Sequence, residues 1–372
     1  MKKLLLVSLF SALASAAFAA DVPAPVYKAP AAVAIGGGFY MSLDGSWQRV
    51  DLPDYALGHH FLTAVGLNDA GALPLRQRFD GYLVRGSVGY FLPTTNTVFG
   101  SNTRLEIGGL YGHAAGTSSG TITHAGEVAG VGSLLLDGTP GTGGVACNAF
   151  QVCTINGNAA TSYSNWQVHG RAAGDYHLGA VWFTPSLAVF GGEARNNQST
   201  TQVYTLASLN PVTRNSTYNA STALRWTDVG ARAGLDMKID LSPQVAVGLG
   251  GWAGVASRRA SLSGSDAYVD TILGFYNGAS TISGIGRNIT PFLANAEAGV
   301  AFKPLPALML RGFVGVNYDS EVPGVRTPTL AVFGGPTTPA GISTNAQTSY
   351  YAGGGLTWAF GGIPAGMSAL GR

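Results

Sequence analysis

The chain has 372 residues, of which 54 are glycine and 11% are charged, and its formal net charge is +2. Low charge, 10% aromatic content and glycines without a three-residue period argue against disorder, collagen and helical bundles. A near-balance of 21 basic and 19 acidic residues gives no electrostatic footprint for nucleic acid.

The first residues read as an address. Lys2 and Lys3 precede an apolar stretch from Leu4 to Phe18, and Ala17-Phe18-Ala19 fits a small-x-small cleavage pattern. Residues 1–19 are therefore expected to be a secretory signal peptide. The stretch is short for a membrane anchor, and no later run reaches eighteen apolar residues. Residues 20–34 (ADVPAPVYKAPAAVA) read as a Pro/Ala-rich linker.

From residue 35 the dominant signal is alternation with period two. Phe39 to Gln48 sets Phe39, Met41, Leu43 and Trp47 against Tyr40, Ser42, Asp44, Ser46 and Gln48. Trp226 to Lys238 sets Asp228, Arg232, Asp236 and Lys238 against Val229, Ala231, Ala233, Leu235 and Met237. Val245–Val255, Leu308–Asp319 and Tyr350–Phe360 repeat the pattern. Weaker runs cover Phe79–Leu92, Thr103–His113, Tyr163–Asp175, Val181–Arg195 and Thr290–Phe302. That predicts about ten strands, with eight or twelve as alternatives, since Val131–Leu136 could belong to a further hairpin. Connections alternate between short ones and long polar segments at Asp51–Arg76, Ala114–Ala160, Asn196–Thr222, Ala256–Asn288 and Ser320–Gln347.

Long alternating strands with short turns at one end and long loops at the other predict an all-β, antiparallel, up-and-down transmembrane β-barrel. Its residues would be 35–361, with a short C-terminal extension at 362–372. Closure satisfies every backbone N–H and C=O in a hydrocarbon layer that offers no partner. Apolar side chains would face lipid and polar ones the lumen, with Trp47, Tyr90, Tyr111, Trp166, Trp226 and Trp358 as candidates for the interfacial girdles. The alternative is a secreted β-sandwich, whose strands would be shorter and whose exposed faces would carry more charge.

Two segments carry a resemblance. The stretch APVYKAP with the opening strand GGGFYMSLDGSW looks like the small outer-membrane and porin-like proteins of alphaproteobacteria. The strand Gly355-Leu-Thr-Trp358-Ala-Phe360 is similar to the C-terminal signal read by the outer-membrane assembly machinery, although the chain continues to Arg372. The resemblance implies residence in the outer membrane of a Gram-negative cell and contact with its lipid and lipopolysaccharide. It also implies a role as general porin, surface immunogen or haem-binding protein.

Lumen parity collects Asp44, Arg85, Arg104, Glu106, His169, Arg171, Asp228, Arg232, Glu297 and Arg311, together with Asp175, Asp236 and Asp319. In an open pore such residues set ion selectivity. In a narrow barrel they pair and fill the interior, because charges removed from water need partners. Cys147 and Cys153 could form a local disulfide in an oxidising compartment. No metal site or cofactor is expected: His59-His60 has no further ligand at a suitable spacing. No catalytic residue is expected either. The one Gly-x-Ser-x-Gly match, Gly116–Gly120, falls in a predicted loop instead of a strand-to-helix elbow.

Three functions remain in order of preference. One is a porin-like channel passing small hydrophilic solutes by passive diffusion through a narrow lumen. The second is a structural or surface-interaction barrel with a plugged lumen. The third is a barrel enzyme.

Overall fold

The computed structural model describes residues 38–367 except 58–60, 63–67, 70–72, 94–99, 126–128, 132–133, 140–144, 148–151, 208–213, 271–276, 331–336 and 364–365. The predicted signal peptide and linker, His59-His60 and residues 368–372 lie outside the described residues. So do the side chains of Cys147 and Cys153.

Eleven long strands build the wall: β1 (Phe39–Leu57), β2 (Leu73–Phe91), β3 (Ser101–Ala125), β4 (Val152–Leu178), β5 (Val181–Ala207), β6 (Arg214–Asp240), β7 (Val245–Asp270), β8 (Asn277–Ile289), β9 (Phe292–Leu305), β10 (Leu308–Arg326) and β11 (Gly341–Ala359). From β1 to β8 each pairs antiparallel with the next, β9 pairs with β7 and β10, β10 with β11, and β11 with β1, so the sheet closes on itself. β8 and β9 are two halves of one position, because both pair with β7. The break between them is Thr290-Pro291, where proline has no N–H to give the ladder. The ring therefore counts ten positions, as the alternation predicted. Val131–Leu136 adds no wall strand: Ala129–Val131 pairs only with Val145–Cys147, and Leu134–Leu136 enters the interior.

Both chain ends of the ring lie at the end with short turns. Gly179-Ala180 joins β4 to β5, with Gly179 at a φ of 61° that favours glycine. Ser242 Oγ accepts from the backbone N–H of Val245 at 3.0 Å in the β6–β7 turn. This is the periplasmic end of an outer-membrane barrel.

The expected long polar segments are largely strand. Asn196–Thr222 contributes the ends of β5 and β6, and Ala256–Asn288 contributes the ends of β7 and β8. β3 runs to Ala125 and β4 starts at Val152, so Gly116–Gly120 sits within the wall. A 27-residue strand such as β6 is about 90 Å long at about 3.3 Å per residue, and rises about 70 Å at a tilt near 40°. An apolar band only about 25 Å tall is needed. The outer half of the barrel therefore stands above the membrane.

The faces invert at that border. On the membrane part of β6, Val229, Leu235, Met237 and Ile239 point outward and Asp236 and Lys238 are buried inside. Farther along the same strand Asn219, Ser221 and Arg225 are exposed, while Tyr218, Ala220 and Leu224 are buried. Lipid rewards apolar groups outside; water rewards them inside. The outer half thus holds an apolar interior of the kind found in soluble proteins, including Leu75, Phe79, Ile155, Tyr204, Leu262 and Ile342. Trp47, Tyr82, Tyr111, Trp166 and Tyr350 form the exposed aromatic border below it. Trp226 is not a girdle residue: it points inward and is 4% exposed.

Candidate functional site: a lumen closed above and below a polar chamber

The structure places the thirteen residues collected by lumen parity on the interior face of the ring, which brings them together in layers. At the periplasmic end, Tyr40, Phe91, Ala301, Met309 and Ala359 form an apolar floor, joined by Met367 from the C-terminal extension. The extension folds back over this end, its Ile363 N–H donating to the Pro306 carbonyl at 2.8 Å. Above the floor, Arg104 donates to Asp175 at 3.0 Å, and Asp175 also accepts from Thr184 at 2.8 Å. Tyr40 donates to Glu106 at 2.7 Å, and His169 lies 3.5 Å from the same carboxylate.

The next layers are Arg171 with Asp236 at 3.3 Å, and Arg311 with Asp44 at 2.6 and 2.8 Å. Arg311 donates a further bond to Thr357 at 2.8 Å. Arg85 reaches Glu297 at 3.2 Å and lies 4.4 Å from the Tyr351 ring centroid, while Tyr351 donates to Glu297 at 2.6 Å. These guanidiniums and carboxylates are nearly out of solvent. Strong pairing is what makes such burial tolerable.

Above them lies a cavity of about 260 Å³ in the body of the lumen, lined by charged, aromatic and aliphatic side chains together. Arg85, Arg171, Arg232 and Arg258 border it together with Trp226 and Trp252. Arg232 stacks on Trp252 at 4.6 Å and donates to Gln167 at 3.3 Å. Arg258 forms the upper rim. It bonds Asp228 at 2.7 and 2.8 Å and Asp319 at 2.7 and 3.2 Å.

A loop roofs the barrel's outer half, beyond the residues that line the cavity. The connection between β3 and β4 drops Leu134, Leu135 and Leu136 into the outer half of the barrel, where they are 1%, 3% and 1% exposed. The turn is tight: Gly138 N–H donates to the Leu135 carbonyl at 2.8 Å, with Gly138 at a φ of 84°. Two bonds tie Leu136 to its surroundings. Its N–H donates to Asp266 Oδ2 at 2.7 Å, and its carbonyl accepts from Ala340 at 2.8 Å. The Asp266 carboxylate also accepts from Tyr218 at 2.8 Å and Ser280 at 2.5 Å. Burial pushes this carboxyl above its usual range, with the nearby Asp137 charge acting the same way, while the three donors oppose them.

Sequence reading missed Arg258, Asp266 and the leucine roof. Arg258 has the same parity as Trp252, but β7 was expected to end at Val255. Extending the alternation past Val255 would have found it. Nothing local distinguishes Leu134–Leu136 from any apolar loop segment. Among the described residues no group of three His, Cys, Asp or Glu is placed to hold a metal ion.

No protein-family model matches the chain, and no curated protein matches it. Among solved structures, it is similar to the outer membrane protease OmpT from Escherichia coli. The identity is 11% and the TM-score 0.38, over 87% of this chain and 96% of that one. A FadL homologue from Pseudomonas aeruginosa matches at 9% identity and a TM-score of 0.25, over 86% and 90% of the two chains. The toluene transporter TbuX from Ralstonia pickettii matches at 9% identity and a TM-score of 0.18, over 87% and 89%.

Proposed function

We propose that this outer-membrane barrel is a channel with a closed resting state, and that small hydrophilic solutes reach the central chamber only when the Leu134–Leu136 roof withdraws. The observation that carries this reading is the origin of the roof. It is a loop, not a wall strand, and two bonds to Leu136 fasten it. A loop can leave a lumen without opening the ring, whereas removing a wall strand would expose unpaired backbone. The same feature speaks against a permanently open bore for passive diffusion.

The second reading is a plugged structural or surface-interaction barrel. The pairs Arg311–Asp44 and Arg104–Asp175 favour it, because their residues belong to the wall and no loop movement removes them. Neither reading uses catalysis or a cofactor. Gly116–Gly120 lies along the flat run of β3, far from the elbow geometry a serine nucleophile needs. Outer-membrane lipid, lipopolysaccharide and the outer-membrane assembly machinery are the partners both readings require.

Liposome-swelling rates with small sugars distinguish the two. The wild-type barrel should swell vesicles slowly. Leu135→Asp, which puts a charge into the apolar outer interior, should expel the roof and raise the rate at least tenfold. Equal, near-zero rates for both proteins, each shown to be folded by its heat-dependent gel mobility, would leave the structural barrel as the better reading.

A further inference from the structure

The outward face of β5, β6 and β7 differs from the rest of the wall. On β1 to β4 the outer border of the apolar band is marked by Trp47, Tyr82, Tyr111 and Trp166. On β5 to β7 the apolar band ends instead at Val189, Val229 and Val255, at 66%, 69% and 56% exposure. Directly beyond them the border is charged. Glu193 is opposite Thr227, and Thr227 is opposite Arg259. One step outward along the strands, Arg195 is directly opposite Arg225.

Two like charges facing each other across neighbouring strands destabilise a sheet. Here a single carboxylate serves both: Arg195 donates to Glu193 at 2.5 Å, and Arg225 donates to the same group. The two arginine side chains remain more than half exposed. Arg259 is exposed and has no ion-pair partner among the described residues. The patch therefore holds three arginines against one glutamate. The exterior arginines on the opposite wall contrast with it. Arg49 is matched by Asp80 at 2.9 Å and Arg78 by Asp51 at 2.7 Å, one carboxylate each.

We propose that the Arg195–Arg225–Arg259 patch binds a phosphate group of the outer leaflet's phosphorylated glycolipid, lipopolysaccharide. The site matches an amphipathic ligand. Exposed valines below offer a surface for acyl chains, and guanidiniums above offer paired N–H donors that fit phosphate oxygens. Its position on the outside of the wall, at the edge of the apolar band, meets a headgroup layer and not the lumen. This inference does not depend on whether the barrel conducts.

The test is binding of fluorescent lipid A to the refolded, full-length mature barrel in detergent. Wild-type protein should bind bisphosphorylated lipid A at least tenfold more tightly than the fully dephosphorylated form. Replacing Arg195, Arg225 and Arg259 together by Gln should remove that preference. The same three positions changed to Lys should keep at least part of it, and Arg78→Gln should leave it intact. Heat-dependent gel mobility reports folding of each variant. Undiminished preference in the glutamine variant would overturn the proposal, as would equal wild-type affinity for the two lipids. Inorganic phosphate binding as tightly as lipid A would overturn the lipid as occupant, since the valine surface would then contribute nothing.

Discussion

Asp266→Ala is the sharpest test of the roof. The wild-type carboxylate accepts from the Leu136 N–H at 2.7 Å, Tyr218 at 2.8 Å and Ser280 at 2.5 Å. Only the first of these bonds joins loop to wall; a hydrogen bond to a charged group contributes about 1.5–3 kcal/mol. Burying the three leucines contributes about 1.5–3 kcal/mol each, or about 5–9 kcal/mol in total. Ordering the six residues Leu134–Thr139 costs about 1–2 kcal/mol each, or about 6–12 kcal/mol. The two large terms nearly cancel, so the few loop-to-wall bonds decide the position, the one to the Asp266 carboxylate foremost as the charge-assisted one. Losing about 1.5–3 kcal/mol shifts the closed-to-open ratio by about 10- to 150-fold. Single-channel recording in planar bilayers reads this as a rise in open probability from rare openings to a large fraction of the record. If folded Asp266→Ala and Leu135→Asp barrels both stay silent, the roof is not the gate and the reasoning fails.

Four further outcomes follow. Because burial raises the Asp266 carboxyl above its ordinary 3.8, the native state gains stability below that value and loses it as pH climbs through the raised one. The unfolding midpoint should therefore rise on acidification through that window, and Asp266→Asn should flatten the dependence. Leu249→Arg, on the lipid face of β7, should cost about 2–4 kcal/mol in urea unfolding from vesicles, whereas Leu249→Phe should be nearly neutral. Arg311→Ala strands the buried Asp44 charge and should cost about 3–5 kcal/mol by the same assay, most of it recovered when Asp44 is changed to Leu as well. A side chain at Gly116 would start 2.4 Å from the Phe79 ring, so Gly116→Val should destabilise the barrel by about 1–3 kcal/mol, measured as a lowered unfolding midpoint.

Much of the barrel was legible in one dimension. Parity is a local property, because successive strand side chains take opposite faces wherever the strand lies. That is why Asp44, Arg85, Glu106, Arg232 and Arg311 could be placed inside without knowing their neighbours. The count of ten also followed from local alternation. Strand length was misjudged for a physical reason. Beyond the membrane border the solvent outside changes from hydrocarbon to water, so the apolar face moves inward and the outer face becomes Ser, Thr and Asn. On β6, Asn219 and Ser221 outside with Tyr218 and Leu224 inside continue the alternation with its sign reversed. A search for one constant apolar face reads that reversal as a loop.

By itself, then, the order of residues determined which side chains share a face and how many strands there are, since both depend on backbone geometry over a few residues. Tertiary structure decided the rest. Pairing across the lumen is set by ring closure and shear: Arg311 meets Asp44 from 267 positions away, and Arg85 meets Glu297 from 212. Leu136 finds Asp266 only because the β3–β4 connection turns inward, where burying leucine offsets ordering a loop. The shared glutamate between Arg195 and Arg225 likewise exists only through the β5–β6 register. Each of these contacts joins residues that no local period relates, so closure of the sheet had to place them.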